Sequence, residues 1–289
     1  MLDALRQITI VGTGLLGASL GLALKERGFS GKIVGVGRRL TTVNRARQLG
    51  ALDEASTDLA QAVEHSDLLI LAAPLGQFEP IFQSLAACEH HGLVITDVGS
   101  TKSQVCALAR RYLLAPGQFV GSHPMAGSEQ QGPDAASAQL FHGKPCILTP
   151  ESDTNGDAVK LVRELWQTLG MRVLAMSPGE HDEQVALISH LPHLVAVVLV
   201  DLAARYAAMD VASTGFADTT RVASGDANIW ADVFASNRQA LVQAIDEMTG
   251  ELAKARQMIA DNRHDETLAW LRKSKAVRDA WMSGKTGNG

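Results

Sequence analysis

The stretch Ile8-Thr9-Ile10-Val11-Gly12-Thr13-Gly14-Leu15-Leu16-Gly17 decides the fold. A β-branched, apolar run ends abruptly in glycine, which is how a buried strand reads. The glycines follow the pattern G-x-G-x-x-G, and Leu15 to Arg27 then reads as a helix closed by Gly28. The pattern alone is a weak signal. Between a strand and a helix, at the start of a βαβ unit, it becomes a dinucleotide fingerprint. Gly12 allows the tight turn, Gly14 offers bare backbone to a pyrophosphate, and Gly17 lets the helix pack on the strand. Leu15 and Leu16 open the helix, whose unpaired N–H groups face the phosphates.

Outward from this stretch the alternation continues. Lys32 to Gly37 is the second expected strand, and Thr41 to Leu49 the second helix. Further strands are expected at Leu68 to Ala73, Leu93 to Asp97, Phe119 to Gly121, Cys146 to Leu148 and Arg172 to Ala175. Strands separated by helical patterns imply an α/β fold, a Rossmann-type, doubly wound and mostly parallel sheet. After Ala175 only helical patterns remain. Glu183 to Tyr206 is apolar nearly all round, the mark of a helix buried in a bundle or a dimer. Leu241, Ile245, Met248, Leu252, Ala255 and Ile259 form one long amphipathic helix with a seam for another helix. The expected domains are a dinucleotide-binding domain at 1–176 and an all-α substrate and dimerisation domain at 177–282. The small, polar residues 283–289 read as a disordered tail.

Composition narrows the function. The chain has 289 residues, 46% of them hydrophobic and 20% charged, with a net charge of −5. That charge argues against nucleic acid, which needs a basic excess. No run of consecutive apolar residues reaches the roughly 18 of a membrane span, since Pro192 and His193 interrupt the longest candidate, Leu191 to Val200. The N-terminus shows no signal-peptide pattern. Cys88, Cys106 and Cys146 are odd in number and far apart, and read as reduced thiols of a cytoplasmic protein.

The end of the second strand bears on the cofactor. An NAD enzyme usually has Asp or Glu there, about 20 residues after the glycines, bonding the ribose 2′-hydroxyl. This chain has Gly37-Arg38-Arg39. Guanidinium groups attract a 2′-phosphate that a carboxylate would repel, so NADP is favoured over NAD. The other reading has Arg38 stacked on adenine and Arg39 solvated.

Reactive residues gather in a few segments. Asp97-Val98-Gly99-Ser100-Thr101-Lys102 lies between a strand and a helix, on the sheet edge where ligands bind. Gly121 to Glu129 holds His123-Pro124-Met125 after another strand. Ser189-His190-Leu191-Pro192-His193 lies on the long helix, where Pro192 should free the carbonyl of Ile188. Gly215 to Arg221 and Ser224 to Trp230 are polar and glycine-bearing in an otherwise helical region. Each has a plainer reading. His123 can be a structural histidine, Asp218 with Arg221 a helix ion pair, and Lys102 a solvated charge. His190 and His193 lack a third metal ligand, so no metal is expected.

Together these motifs resemble prephenate and arogenate dehydrogenases of tyrosine biosynthesis. The resemblance spans the glycine fingerprint, Asp-Val-Gly-Ser-Thr-Lys at 97–102, His-Pro-Met-Ala-Gly-Ser-Glu at 123–129, Ser-His-Leu-Pro-His at 189–193 and Asp-Thr-Thr-Arg at 218–221. It implies a homodimer through the helical domain. It also implies a reaction, the oxidation of prephenate or arogenate with loss of CO₂ and transfer of hydride to NADP or NAD. By resemblance, His123 accepts a hydrogen bond from the 4-hydroxyl as base or polariser, and Ser100 bonds both His123 and that hydroxyl. Arg221 binds a substrate carboxylate, His193 touches substrate, and Glu129 gates the entrance or meets the side chain. His190 and Trp230 line the wall, while Ala73, Pro74 and Gly99 line the cofactor trough. Two rival readings are a dehydrogenase of β-hydroxyacids or imines and a non-catalytic NADP-sensing regulator. The first commonly needs a lysine from the helical domain, and none occurs between Lys160 and Lys254.

Overall fold

The computed structural model of the chain describes residues 1–88, 92–113, 115–128 and 130–286. The chain forms two compact units, Met1–Arg238 and Gln239–Gly289. In the first unit the expected alternation appears. In chain order it runs β1 (Gln7–Val11), α1 (Leu15–Glu26), β2 (Lys32–Val36), α2 (Leu40–Gln48), β3 (Glu54–Ser56), α3 (Leu59–Val63), β4 (Leu68–Leu71) and α4 (Phe78–Ala86). It continues with β5 (Val94–Asp97), α5 (Ser103–Tyr112), β6 (Phe119–Pro124), β7 (Pro145–Thr149), α6 (Gly156–Thr168) and β8 (Arg172–Ala175).

These strands form one sheet in the order β3-β2-β1-β4-β5-β6-β7-β8. All neighbours are parallel except β6 with β7, which are antiparallel. The sheet is buried on both sides because its strands send alternate side chains to opposite faces. Ile8, Ile10, Leu68 and Ile70 join a core with Trp166 and Leu24 on one face. Val11, Leu69 and Leu71 join Phe78, Phe82 and Phe119 on the other. The strand β3 was not anticipated from sequence. It is a short edge strand, Glu-Ala-Ser, with no fully buried residue to give an apolar signal.

Beyond β8 come α7 (Pro178–Val185), a π-helical turn at Ala186–His190, α8 (Leu191–Arg205), α9 (Thr214–Thr220) and α10 (Ala227–Ser236). The start of α7 is set by a capping box, in which Ser177 and Glu180 bond each other's backbone, with Pro178 in the first turn. The π turn sits just before Pro192, which has no N–H to offer the preceding turn. Pro178–Arg205 is long and apolar enough to cross a membrane by length and composition. A count of consecutive apolar residues misses this, because Pro192 and His193 interrupt the run. The helix buries His181, Asp182, His190 and His193, but only 28% of its most apolar stretch is buried within this chain.

The second unit takes in nearly all of α11 (Arg238–Ala260), together with α12 (His264–Thr286). The expected tail at 283–289 is therefore helical through Thr286, and residues 287–289 lie outside the described residues.

Candidate active site

The glycine loop joins β1 to α1, and two of its glycines are sterically required. Gly12 has φ 94°, and a Cβ there would lie 2.5 Å from the carbonyl oxygen of Ala72. A Cβ on Gly17 would lie 1.9 Å from the carbonyl oxygen of Gly12. Gly14, the N-cap of α1, has nothing within 4 Å of the place where a Cβ would be. The loop is thus packed against the sheet on one side and open on the other. A cradle of this shape fits a pyrophosphate, with the N-terminus of α1 supplying free N–H groups.

That open side is one wall of a cavity of about 810 Å³. Its cofactor end includes Gly12, Gly14, Leu15, Leu16, Arg38, Arg39, Ala73, Pro74 and Gly99, all anticipated from sequence. Gly17 lies beneath the loop. The other end includes Ser100, His123, His190 and Trp230. The structure therefore brings most of the expected residues to one space, although they come from β6, the β5–α5 loop, the π turn and α10.

Other expected residues sit elsewhere or have other neighbours. Ser100 lines the cavity, but no hydrogen bond joins it to His123 among the described residues. The Nδ1 of His123 is instead 2.8 Å from the Nε2 of His181. His193 is not on the cavity wall. It stacks face to face on Trp230, with ring centroids 3.6 Å apart, and its Nδ1 is buried without a partner. Arg221 is exposed on a short 3-10 turn, Arg221–Ser224, and does not line the cavity. Glu129 lies outside the described residues. Lys102 is not solvated. It is fully buried, pairs with Asp97, and donates to the carbonyl oxygen of Ser122 at 2.9 Å. The pair is enclosed because the β5–α5 loop folds back over the strand end.

Two residues of the site were missed from sequence, His181 and Asp182 on α7. The Nδ1 of His181 lies 2.8 Å from Oδ1 of Asp182. The same Oδ1 accepts from the backbone N–H of Lys102 at 2.7 Å, and Oδ2 accepts from that of Ser103 at 2.8 Å. An adjacent His-Asp pair on a buried helix is the signal that could have drawn attention to them. His190 is held from behind by Asn237, whose Nδ2 is 3.1 Å from its Nδ1, and its buried Nε2 has no partner.

The electrostatics keep these rings neutral. Burial depresses the pKa of His123 well below 6.5, and nearby His181, Lys102 and His190 push the same way. Burial also lowers His190, to about 4. A neutral imidazole beside a ligand cavity can take a proton from a hydroxyl group.

A dinucleotide cradle opening onto a neutral, buried histidine defines a nicotinamide-dependent dehydrogenase. Family models described as the nucleotide-binding domain and the dimerization domain of prephenate dehydrogenase match residues 20–175 and 177–273, and the chain belongs to that family. It is 32% identical to a cyclohexadienyl dehydrogenase of Zymomonas mobilis, over 94% of this chain and 95% of that protein. It is 34% identical to a prephenate dehydrogenase of Bacillus subtilis, over 94% of this chain and 75% of that protein. Among solved structures, prephenate dehydrogenase of Aquifex aeolicus, in complex with hydroxyphenyl propionate and NAD+, matches with a TM-score of 0.88. That match is 32% identical and covers 95% of this chain and 98% of the other.

Proposed function

We propose that this chain oxidatively decarboxylates prephenate or arogenate on the route to tyrosine, passing hydride to NADP. The observation that carries the reading is that neutral His123 and the glycine cradle share one cavity. The substrate is a cyclohexadienol with a 4-hydroxyl and a ring carboxylate. Nicotinamide, when bound, supplies the hydride acceptor. His123 takes the hydroxyl proton as C4 becomes a carbonyl carbon; the C–CO₂ electron pair then moves into the ring as CO₂ departs, the carbonyl oxygen becomes a phenolate of the aromatic ring, and the proton returns to it from His123. Aromatisation drives the reaction forward, so the protein's work is positioning and charge stabilisation.

Ser100, on the same wall, orients the hydroxyl. Arg221 is assigned to a substrate carboxylate and Glu129 to the entrance or the substrate side chain. His190 and Trp230 shape the substrate end, and His193 stiffens Trp230 by stacking under it. Arg38 and Arg39 line the cavity just after β2, and their guanidinium groups would attract a 2′-phosphate, which supports NADP over NAD. The helical region beyond residue 176 is the substrate and dimerisation domain. A homodimer would cover the exposed Leu187, Ile188, Val197, Val198 and Leu202. The enzyme is placed in the cytoplasm.

The test is reduced-nicotinamide formation by the purified protein with each substrate and each cofactor. Turnover of prephenate or arogenate is expected, with higher kcat/KM for NADP than for NAD. His123→Asn should lower kcat about 10²- to 10⁴-fold while leaving cofactor Kd unchanged. Absence of turnover with both substrates despite tight NADP binding would favour a cofactor-sensing protein instead.

A further inference from the structure

We propose that His181 and Asp182 are positioning residues that fix His123 as its Nδ1–H tautomer, so that a bare Nε2 faces the cavity as the proton acceptor. This rests on the assignment of His123 as base, and it adds which nitrogen acts and what sets it.

Asp182 receives backbone N–H donors on both oxygens, from Lys102 and Ser103. Burial alone would raise its carboxyl. The hydrogen bonds from His181, Ser103 and Lys102 outweigh that and hold it below the ordinary value, so it is ionised. An ionised carboxylate only accepts. The Nδ1 of His181, 2.8 Å from Oδ1, must therefore donate.

His181 is itself kept neutral, chiefly by burial, so it carries a single ring proton. That proton is on Nδ1, which leaves Nε2 bare. The Nδ1 of His123 lies 2.8 Å from this bare nitrogen and must donate to it. His123 is neutral too, so its own proton is spent on this bond and its Nε2 has a free lone pair. No described group bonds that Nε2, and the ring lines the cavity. A fixed carboxylate thus dictates the tautomer of a base two rings away.

Capping α5 does not account for this arrangement. The two bonds from Lys102 and Ser103 satisfy that helix start without either ring. The further bonds run toward the cavity and end at His123. The groups facing the rings are consistent with the scheme. Lys102, at the start of α5, and His190, in the π turn, both disfavour a proton on His123. Asp97 and Asp182 favour one on His181, but burial wins there.

In the reaction the substrate O–H bond breaks and a bond to Nε2 of His123 forms. The O–H electron pair becomes part of the new carbonyl as hydride leaves C4 for the nicotinamide. The resulting imidazolium keeps its Nδ1–H bond to His181, and the negative charge of Asp182 stabilises it through that ring. When CO₂ leaves and the ring oxygen becomes a phenolate, the same proton returns to it from Nε2, so no second proton needs to move.

The experiment is ¹⁵N NMR of histidine-labelled full-length protein with NADP+ at pH 7.5, with His123 assigned by the signal lost in His123→Asn. The expected spectrum shows a protonated Nδ1 and a bare Nε2 for His123. Asp182→Asn offers an amide N–H where His181 now finds an acceptor. It should reverse both rings and lower kcat about 10²- to 10⁴-fold, with KM for cofactor little changed. If that variant fails to fold, a second pair decides. His181→Gln keeps an acceptor for His123 and should retain its tautomer and most of kcat, whereas His181→Leu should lose both. A wild-type His123 protonated on Nε2 overturns the proposal, as does a folded Asp182→Asn, or His181→Leu, with unchanged tautomer and kcat. If the expected spectrum appears in a protein that turns over neither substrate, the positioning chain stands and the assigned reaction fails.

Discussion

Lys102 and Asp97 form an ion pair in which both side chains are wholly shielded from solvent. The pair ties three pieces of the site together. Lys102 also donates to the carbonyl of Ser122 on β6. Asp97 accepts from the backbone N–H of Ser122 at 2.9 Å and from that of Gly99 at 2.8 Å. The strand that carries His123 and the loop that carries Ser100 are thus set by one buried contact.

Lys102→Met is therefore expected to destabilise the protein by about 3–5 kcal/mol, the usual effect of leaving a buried charge unpaired. Burial already raises the carboxyl pKa of Asp97 with its partner present. Without Lys102 the carboxyl should protonate more readily, so the loss should be smaller at pH 5 than at pH 8. Urea unfolding at both pH values measures it. Equal stability of variant and wild type at pH 8 would show that the pair is dispensable.

Gly14→Ala and Gly17→Ala should separate ligand binding from folding. At Gly17 the added carbon meets backbone, 1.9 Å from the carbonyl oxygen of Gly12, and 3.1 Å from Cγ2 of Ile10. The loop cannot yield without moving β1, and a loss of about 1–3 kcal/mol in stability is expected. At Gly14 the carbon enters open space. Stability should stay within about 0.5 kcal/mol, while nicotinamide cofactor binding weakens about tenfold or more, equivalent to about 1.4 kcal/mol. Urea midpoints and cofactor titration read the two effects. A Gly14→Ala protein that binds NADP normally would move the pyrophosphate elsewhere.

Much of this architecture can be read from the residues, because burial leaves a period. Ile8 and Ile10 alternate with Thr9 and Val11, and the strand that results ends at a glycine with only one steric role. The edge strand Glu54–Ser56 has no such period, since it is not sandwiched on both faces. Solvation is the plainer reading of Lys102, because a lysine is almost never buried without a partner. Its partner, Asp97, was in view five residues earlier, but only the loop's fold brings them together. His181 and Asp182 were hidden for another reason. His181 lies 58 residues from His123, and no local pattern specifies a contact across that distance.

The two arginines after β2 should govern cofactor choice. Arg38 and Arg39 line the cavity directly after β2, where the sequence has Gly-Arg-Arg and no carboxylate. The variant Arg38→Ala with Arg39→Ala should lower kcat/KM for NADP by about 10- to 150-fold, the worth of a charge-assisted contact of about 1.5–3 kcal/mol. With NAD the change should be under about threefold, because the lost contact is to a phosphate that NAD lacks. Steady-state kinetics with both cofactors decides it. Equal losses with the two would place these side chains on the adenine face.

Stability should fall as the solution is acidified, beginning near the ordinary histidine pKa. Burial lowers His190 to about 4 and depresses His123 and His181 below 6.5. The unfolded chain therefore binds protons first as pH drops. Each group contributes stability that is complete above about 6.5 and is lost progressively down to its folded value, at up to about 1.4 kcal/mol per pH unit. Asp53, Asp67 and Asp182, whose carboxyls are lowered, act in the same direction, but their contribution is lost only around and below about pH 4. Urea midpoints should thus decline between pH 6.5 and 4.5, and His190→Gln should flatten that decline. A wild-type profile level across this range would mean that the rings are not buried in neutral form, which would also remove the basis for His123 as an uncharged base.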